Sequence, residues 1–354
     1  MLFALLKAAI QETNTETEHF ETATTANWLQ CYKLAVLQGV KSIAWDGICK
    51  LPIQLQPYKA LKIQWFFATE QDEKKYSLHC KTVHHLLKYL ASEGIDGIQM
   101  KGVALSGYYP IPSHREGGDI DIYTYSANKE KMTDNKANTM TDQLMQRKGI
   151  KVNLEKYKHS EFYYNGVMIE NHKEFLNIKE LDYAKKVNQI LHEILQPTEI
   201  LIEGNYKIKS PDPLFNEIFV IFHSAQHYCD GLSIHHLLDW TCLIKNYGII
   251  LEGNLDDCKF KRFIGAMTTL SNRLLGTSIE IEKDDEEMVV DILEDMIRCP
   301  FDSILVPRNS LKRIIFKIKK MIYAYKKRRK VFDVSLWKII VFSLKYHIKK
   351  PESI

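Results

Sequence analysis

The chain has 354 residues, of which 45% are hydrophobic and 26% are charged, and its formal net charge is +4. This composition is typical of a globular protein that buries a substantial core, and the length predicts two or three folding units. The seven cysteines form no C-x-x-C pair and no framework of short, regular spacings. A disulfide framework is therefore excluded as the basis of the fold, and reduced thiols in the cytoplasm are expected.

Two apolar stretches could suggest a membrane protein, but neither has the features of one. The N-terminal stretch lacks a basic n-region and a cleavage site, so it is interpreted as the start of an amphipathic helix. The stretch near the C-terminus is interrupted by Lys338 and Lys345, before it reaches the roughly 20 apolar residues that a spanning helix needs. We expect no transmembrane segment.

Hydrophobic periodicity divides the chain into three regions. Residues 1–92 are predicted to be helical, with a loop marked by Pro52 and Pro57. Residues 93–208 contain short strand patterns, including GIDGIQMKG, REGGDIDIYTY and a paired segment at 159–172, with a helix between them that ends at Gly149. Residues 209–354 return to a helical pattern. The prediction is an α+β fold in which a small mixed sheet is flanked by helical regions.

The strand pattern GDIDI carries the first candidate site. Residues two apart in a strand project from the same face, so Asp119 and Asp121 are expected to point together while Ile120 and Ile122 enter the core. Two adjacent carboxylates repel each other, and a divalent cation is the usual compensation. By itself this pattern is weak, since many solvated strands carry it.

A hairpin prediction supplies further acidic candidates. Asn165-Gly166 favours a two-residue type I′ turn, which pairs Glu161 with Glu170 and His159 with His172 on one face of the hairpin. Facing glutamates are destabilising unless a positive charge or a metal lies nearby. A solvent-exposed face with two hydrated glutamates is an equally simple interpretation.

The stretch from residue 100 to residue 124 resembles a bacterial family of uncharacterised nucleotidyltransferases within the DNA polymerase beta superfamily. The resemblance covers roughly residues 90–250. The matching residues are Lys101, Gly102, Tyr109, Pro110, Arg115, Asp119 and Asp121. In that family a third carboxylate on a later strand is commonly followed two positions on by His, and Glu170 with His172 fits this pattern. Two departures are the Gly102-Val103 pair, where Gly-Ser or Gly-Gly is usual, and Glu rather than Asp as the third acid.

The resemblance implies a set of roles. Asp119, Asp121 and Glu170 would be the catalytic carboxylates and would hold Mg²⁺ or Mn²⁺. Nucleotide phosphates would be bound at Lys101, Gly102 and Arg115. His172, His223 and His227 could line an acceptor site. The spacing of His223 and His227 also permits zinc binding, although packing beneath the cleft is the simpler interpretation.

The charge is unevenly distributed along the chain. Residues 308–330 contain eleven Lys or Arg and no Asp or Glu, in an amphipathic helical pattern. This segment could contact an anionic partner such as nucleic acid or membrane, or it could fold back onto an acidic face of the protein itself.

Together these features predict a cytoplasmic, metal-dependent nucleotidyltransferase. It would transfer a nucleoside monophosphate from an NTP to an acceptor hydroxyl and release pyrophosphate. The acceptor could be a small molecule, a sugar, a protein or RNA. The alternatives are a catalytically silent module that keeps the fold, and an RNA-modifying transferase that uses the basic segment.

Overall fold

The computed structural model describes residues 1–126, 133–178, 182–228, 231–251, 253, 255, 257–281, 285–298, 310–332, 334, 335 and 337. The N-terminal region is helical, as its periodicity predicts. It contains α1 (Leu2–Gln11), α2 (Thr25–Leu37), α3 (Lys41–Cys49) and α4 (Lys59–Ser92). The Thr24 side chain accepts a hydrogen bond from the backbone N–H of Asn27, which caps α2.

A five-stranded mixed sheet follows. Its strands are β1 (Ile95–Met100), β2 (Ile120–Ser126), β3 (Val152–Asn153), β4 (His159–Tyr164) and β5 (Val167–His172), and their order is β1-β2-β5-β4-β3. β2 and β5 are parallel neighbours, and the other neighbouring pairs are antiparallel. The prediction of an α+β fold with a small mixed sheet is therefore confirmed.

The register of the β4–β5 hairpin agrees with the sequence prediction. Asn165 and Gly166 have φ angles of 51° and 77°, the left-handed conformations that a type I′ turn requires. His159 consequently pairs with His172, and Glu161 pairs with Glu170. The opposite face of the hairpin carries Phe162, which is fully buried.

The remaining elements surround this sheet. A short helix α5 (Val103–Ser106) follows β1, and α6 (Asp134–Arg147) and α7 (Asp182–Ile194) flank the strands. A separate hairpin, β6 (Pro197–Ile202) with β7 (Tyr206–Pro211), packs against β1 and α4 and was not identified from the sequence. The C-terminal helices are α8 (Pro213–Tyr228), α9 (Ile234–Tyr247), α10 (Cys258–Leu275), α11 (Glu286–Arg298) and α12 (Ser310–Val331).

Two hydrophobic clusters hold these elements together. The larger one joins the N-terminal helices to the C-terminal helices, with residues such as Leu5, Trp65, Trp240 and Phe263 in one core. The smaller one lies between the sheet, α4 and α6. The N-terminal and C-terminal helices therefore share one hydrophobic core, although they are far apart in the sequence. None of the described helices is both long enough and apolar enough to cross a bilayer.

The basic helix α12 packs partly against the acidic helix α11. Lys327 Nζ lies 2.9 Å from Asp291 Oδ1 and 3.5 Å from Asp295 Oδ1, and Lys330 Nζ lies 2.7 Å from Asp291 Oδ2. These contacts match the alternative in which the basic segment folds back onto an acidic face. Other lysines of α12, such as Lys319, remain exposed.

Candidate active site

Acidic side chains converge at the middle of the five-stranded sheet. Parallel pairing of β2 with β5 places Asp121 opposite Glu170, and antiparallel pairing of β5 with β4 places Glu161 opposite Glu170. Asp119 directly precedes β2, and its charge interacts with those of Asp121 and Glu170. The structure therefore brings together all three carboxylates that the sequence singled out.

The electrostatics of these carboxylates differ. Burial raises the pKa of Asp119 above its usual value, and the negative charge of Asp121 raises it further. Burial also opposes ionisation of Asp121, but the charge of Lys101 and a hydrogen bond from His172 hold its pKa well below the usual range. The charge of Asp121 is thus compensated by the protein, whereas the positive charge of Lys101 only partly offsets the negative charge around Asp119.

Two histidines lie beside the acids. His172 Nε2 is 2.8 Å from Asp121 Oδ1 and 3.3 Å from Glu170 Oε2, and the side chain is fully buried. His159 Nδ1 lies 3.2 Å from Glu170 Oε2. One ligating atom each from His159, Glu170 and His172 falls within 4.8 Å of the others. His172 therefore contacts both Asp121 and Glu170. Its role at an acceptor site stays a prediction.

The turn after β1 brings a lysine to the carboxylates. Lys101 and Gly102 have φ angles of 48° and 52°, so the chain reverses sharply where β1 ends. Lys101 Nζ then lies 3.1 Å from Asp121 Oδ1. Glycine is favoured at position 102 by the positive φ angle, and an added Cβ would also lie 2.9 Å from Gln99 Nε2, which would have to shift.

Lys158 is a component of this site that the sequence analysis missed. It lies one residue before β4. Burial, together with the positive charge of Lys101, lowers its pKa to about 8, although Asp121 and Glu170 act in the opposite direction. Because Lys158 lies outside the strand, the two-residue alternation gives no information about where its side chain points. Only the folded arrangement identifies it.

Arg115 has a different environment from the one the sequence suggested. Its Nε donates to Asp239 Oδ1 at 2.8 Å, and its Nη2 donates to Asp239 Oδ2 at 2.7 Å. The hydroxyl of Tyr109 donates to the same carboxylate at 2.5 Å. This buried pair joins the loop before β2 to α9. In the structure, Nε and Nη2 of Arg115 both face Asp239. Nucleotide binding by Arg115 stays a prediction.

His223 and His227 lie one turn apart on α8, near the lysine of the site. The Phe219 ring stacks on His223 with centroids 5.8 Å apart, and Lys101 Nζ lies 5.8 Å from the centroid of Phe219. A third histidine, His236 of α9, completes a cluster with them. In the sequence, the segment His235–His236–Asp239 follows this pair closely, and the structure shows that His236 is the residue that joins the two histidines.

A large cavity in the described part of the chain lies elsewhere. It measures about 820 Å³ and lies between α4, α5 and the β6–β7 hairpin, with Tyr76, Tyr108 and Asp212 among its lining residues. None of the candidate catalytic or nucleotide-binding residues lines it. We place the candidate site at the carboxylates rather than at this cavity, because the charge and the hydrogen bonds converge at the carboxylates.

Comparison with known proteins gives three results. The sequence model of a family described as "uncharacterised nucleotidyltransferase" matches residues 24–276. No curated protein matches the chain significantly. Among solved structures, an antigenic nucleotidyltransferase-like protein from Paracoccidioides brasiliensis aligns with 13% identity and a TM-score of 0.38, over 64% of this chain and 97% of that one. That structural similarity is too low to support any argument.

Proposed function

Since the matched residues make up more than half of the chain, the protein belongs to the uncharacterised nucleotidyltransferase family, and we propose that it is a metal-dependent enzyme of the polymerase beta type. It transfers a nucleoside monophosphate from an NTP to an acceptor hydroxyl and releases pyrophosphate. The observation that carries this proposal is the parallel register that sets Asp121 beside Glu170, with Asp119 next to both. A bacterial origin and a cytoplasmic location belong to the same proposal.

The donor set fits a divalent cation such as Mg²⁺. Asp119, Asp121 and Glu170 offer hard oxygen ligands, and the charge of Asp121 raises the pKa of Asp119 because the repulsion between them is not fully balanced. These three residues would hold the ion. When bound, it would polarise the phosphate oxygens and stabilise charge on the attacking and leaving groups.

The protein's own residues have separate roles in this proposal. His172 fixes the orientation of Asp121 and Glu170 through Nε2. Lys101 and Lys158 supply positive charge for the phosphates, and Gly102 lets the backbone approach them closely. Burial raises the pKa of Glu170, but the hydrogen bond from His172 outweighs this effect with the help of nearby charges, and the pKa is lowered overall. A lowered pKa favours Glu170 as a metal ligand rather than as a proton acceptor.

Nucleotide binding provides the test. We would measure the thermal stability of the full-length protein with each of the four NTPs, with and without Mg²⁺. At an NTP concentration of 100 times Kd, the expected stabilisation is about 2.7 kcal/mol in the presence of Mg²⁺. Asp119→Asn should remove this ligand-induced shift. Glu199→Gln, a change at an exposed carboxylate paired with Lys207, is the matched control and should retain it.

Two alternatives are separated by the same measurements. If all four nucleotides fail to stabilise the wild-type protein, the catalytically silent module is favoured and the enzyme proposal is rejected. The RNA-modifying alternative depends on the basic segment 308–330, part of whose charge already pairs with Asp291. Deleting residues 308–354 should then weaken RNA binding, with a reduced salt dependence, while NTP binding persists.

A further inference from the structure

Three histidines from two helices form a cluster beside the carboxylate site. His223 and His227 are four residues apart on α8, and His236 lies near the start of α9. Ring centroids are 4.4 Å apart for His223–His227, 4.5 Å for His227–His236 and 5.8 Å for His223–His236. One ring nitrogen from each residue lies within 4.8 Å of the other two.

We propose that His223, His227 and His236 bind a transition-metal ion, with Zn²⁺ as the expected occupant. Zn–N distances of about 2.0–2.1 Å in a tetrahedral site bring ligand nitrogens to within about 3.4 Å of one another. The nitrogens of the cluster lie within 4.8 Å of one another, so the rings would move closer together when an ion binds. Imidazole nitrogens suit Zn²⁺ and other late transition metals, whereas Mg²⁺ prefers oxygen. This centre is therefore chemically distinct from the carboxylate site.

A hydrogen bond available to His236 suits metal binding. Its Nδ1 lies 2.8 Å from Ser233 Oγ, and donation of the Nδ1 proton to that oxygen leaves Nε2 free for a metal. In the other tautomer, the backbone N–H of Ser233, 3.2 Å away, donates to Nδ1, and Nε2 keeps its hydrogen. Metal binding would select the first arrangement.

The surroundings leave the histidines available as ligands. Burial lowers the pKa of His227 to about 4, so its ring is neutral at pH 7. Lys101 and Lys158 place positive charge near the cluster, and Asp121, whose Oδ1 lies 3.1 Å from Lys101 Nζ, offsets part of it. All three histidines are partly exposed, which gives an ion and a solvent-derived fourth ligand a route to the site. Three protein ligands with an open fourth position are typical of catalytic rather than structural zinc.

The position of the cluster suggests how it would act. The buried Phe219 ring lies between His223 and Lys101, so the histidine cluster is close to the carboxylate site. The open coordination position would then bind an oxygen of the acceptor. This last statement rests on the proposed function, whereas metal binding by the cluster does not.

Metal titration of the full-length, tag-free protein tests the proposal. After treatment with a chelator, the protein is titrated with Zn²⁺ by calorimetry and with Co²⁺ by visible absorption. We expect His227→Gln and His236→Gln each to weaken binding more than about 100-fold, since even loss of a group that orients a ligand costs 10–100-fold. Ser233→Ala should cost about 10–100-fold by that same argument. His19→Gln, at an exposed position, is the control and should have no effect.

The group of His159, Glu170 and His172 at the carboxylate site provides the decisive comparison. His159→Gln removes a nitrogen from the carboxylate site and should leave Zn²⁺ binding unchanged. If instead Zn²⁺ binding is lost in His159→Gln and kept in His227→Gln and His236→Gln, the proposal is wrong. X-ray absorption of the wild-type Zn²⁺ complex should show three imidazoles, and this result needs no variant to fold. Asp119→Asn should lose the NTP-induced stabilisation but keep Zn²⁺ binding. Failure of the proposed function can therefore be distinguished from failure of the zinc proposal.

Discussion

The buried pair of Arg115 and Asp239 allows a quantitative test of whether Arg115 supports the fold or binds nucleotide. Asp239 accepts two hydrogen bonds from the guanidinium group and a third from Tyr109. Removal of one member of a buried ion pair leaves the other charge unpaired, which costs about 3–5 kcal/mol. We therefore expect Arg115→Ala and Asp239→Ala each to lower the free energy of unfolding by that amount.

The double variant decides whether these losses come from one interaction. Arg115→Ala/Asp239→Ala should be destabilised by less than the sum of the single variants, with a coupling of about 2–3 kcal/mol. Urea denaturation, monitored by circular dichroism, measures the free energy of unfolding of the wild type, the two single variants and the double variant. Additive losses would refute the coupling between Arg115 and Asp239. An Arg115→Ala protein of unchanged stability that no longer binds Mg²⁺-NTP would refute the structural role and support the predicted nucleotide contact.

The pair also predicts a pH dependence. Burial opposes ionisation of Asp239, but Arg115 holds the folded-state pKa well below the ordinary value of 3.8. A carboxylate with a lowered folded-state pKa stabilises the protein above its unfolded-state pKa, and this contribution is lost as the pH falls through the folded-state value. Wild-type stability should therefore decline below about pH 4 more steeply than that of Asp239→Asn.

Further predictions concern the lysines and the turn. Lys158, with a pKa of about 8, should lose its charge between pH 7 and pH 9, so NTP affinity measured by calorimetry should fall over that range in wild type but not in Lys158→Met. Gly102→Ala should cost about 1–3 kcal/mol in thermal unfolding because of its positive φ, whereas Gly107→Ala, where an added Cβ meets nothing within 4 Å, should be tolerated. Lys327→Met leaves Asp291 with fewer partners and should increase proteolysis of α12, and Lys319→Met, at an exposed lysine, should not.

Local sequence features accounted for much of the sheet. The Asn165-Gly166 turn sets the register of β4 and β5, because a two-residue loop with two positive φ angles permits one pairing. The alternation in GDIDI placed Ile120 and Ile122 in the core, where both are fully buried. Only the family resemblance favours Glu170 over Glu161, because the spacing places both glutamates on the same face of the hairpin.

The sequence by itself determined the helical regions, the strands β1, β2, β4 and β5, the register of the β4–β5 hairpin and the acidic candidates, because each depends on neighbours within a few residues. Tertiary structure alone decided the parallel pairing of β2 with β5, the contact of Arg115 with Asp239 and the approach of His236 to α8. These contacts join residues that are 9 to 124 positions apart, from His227–His236 to Arg115–Asp239. They arise from packing of whole elements against a shared core, which local patterns do not encode.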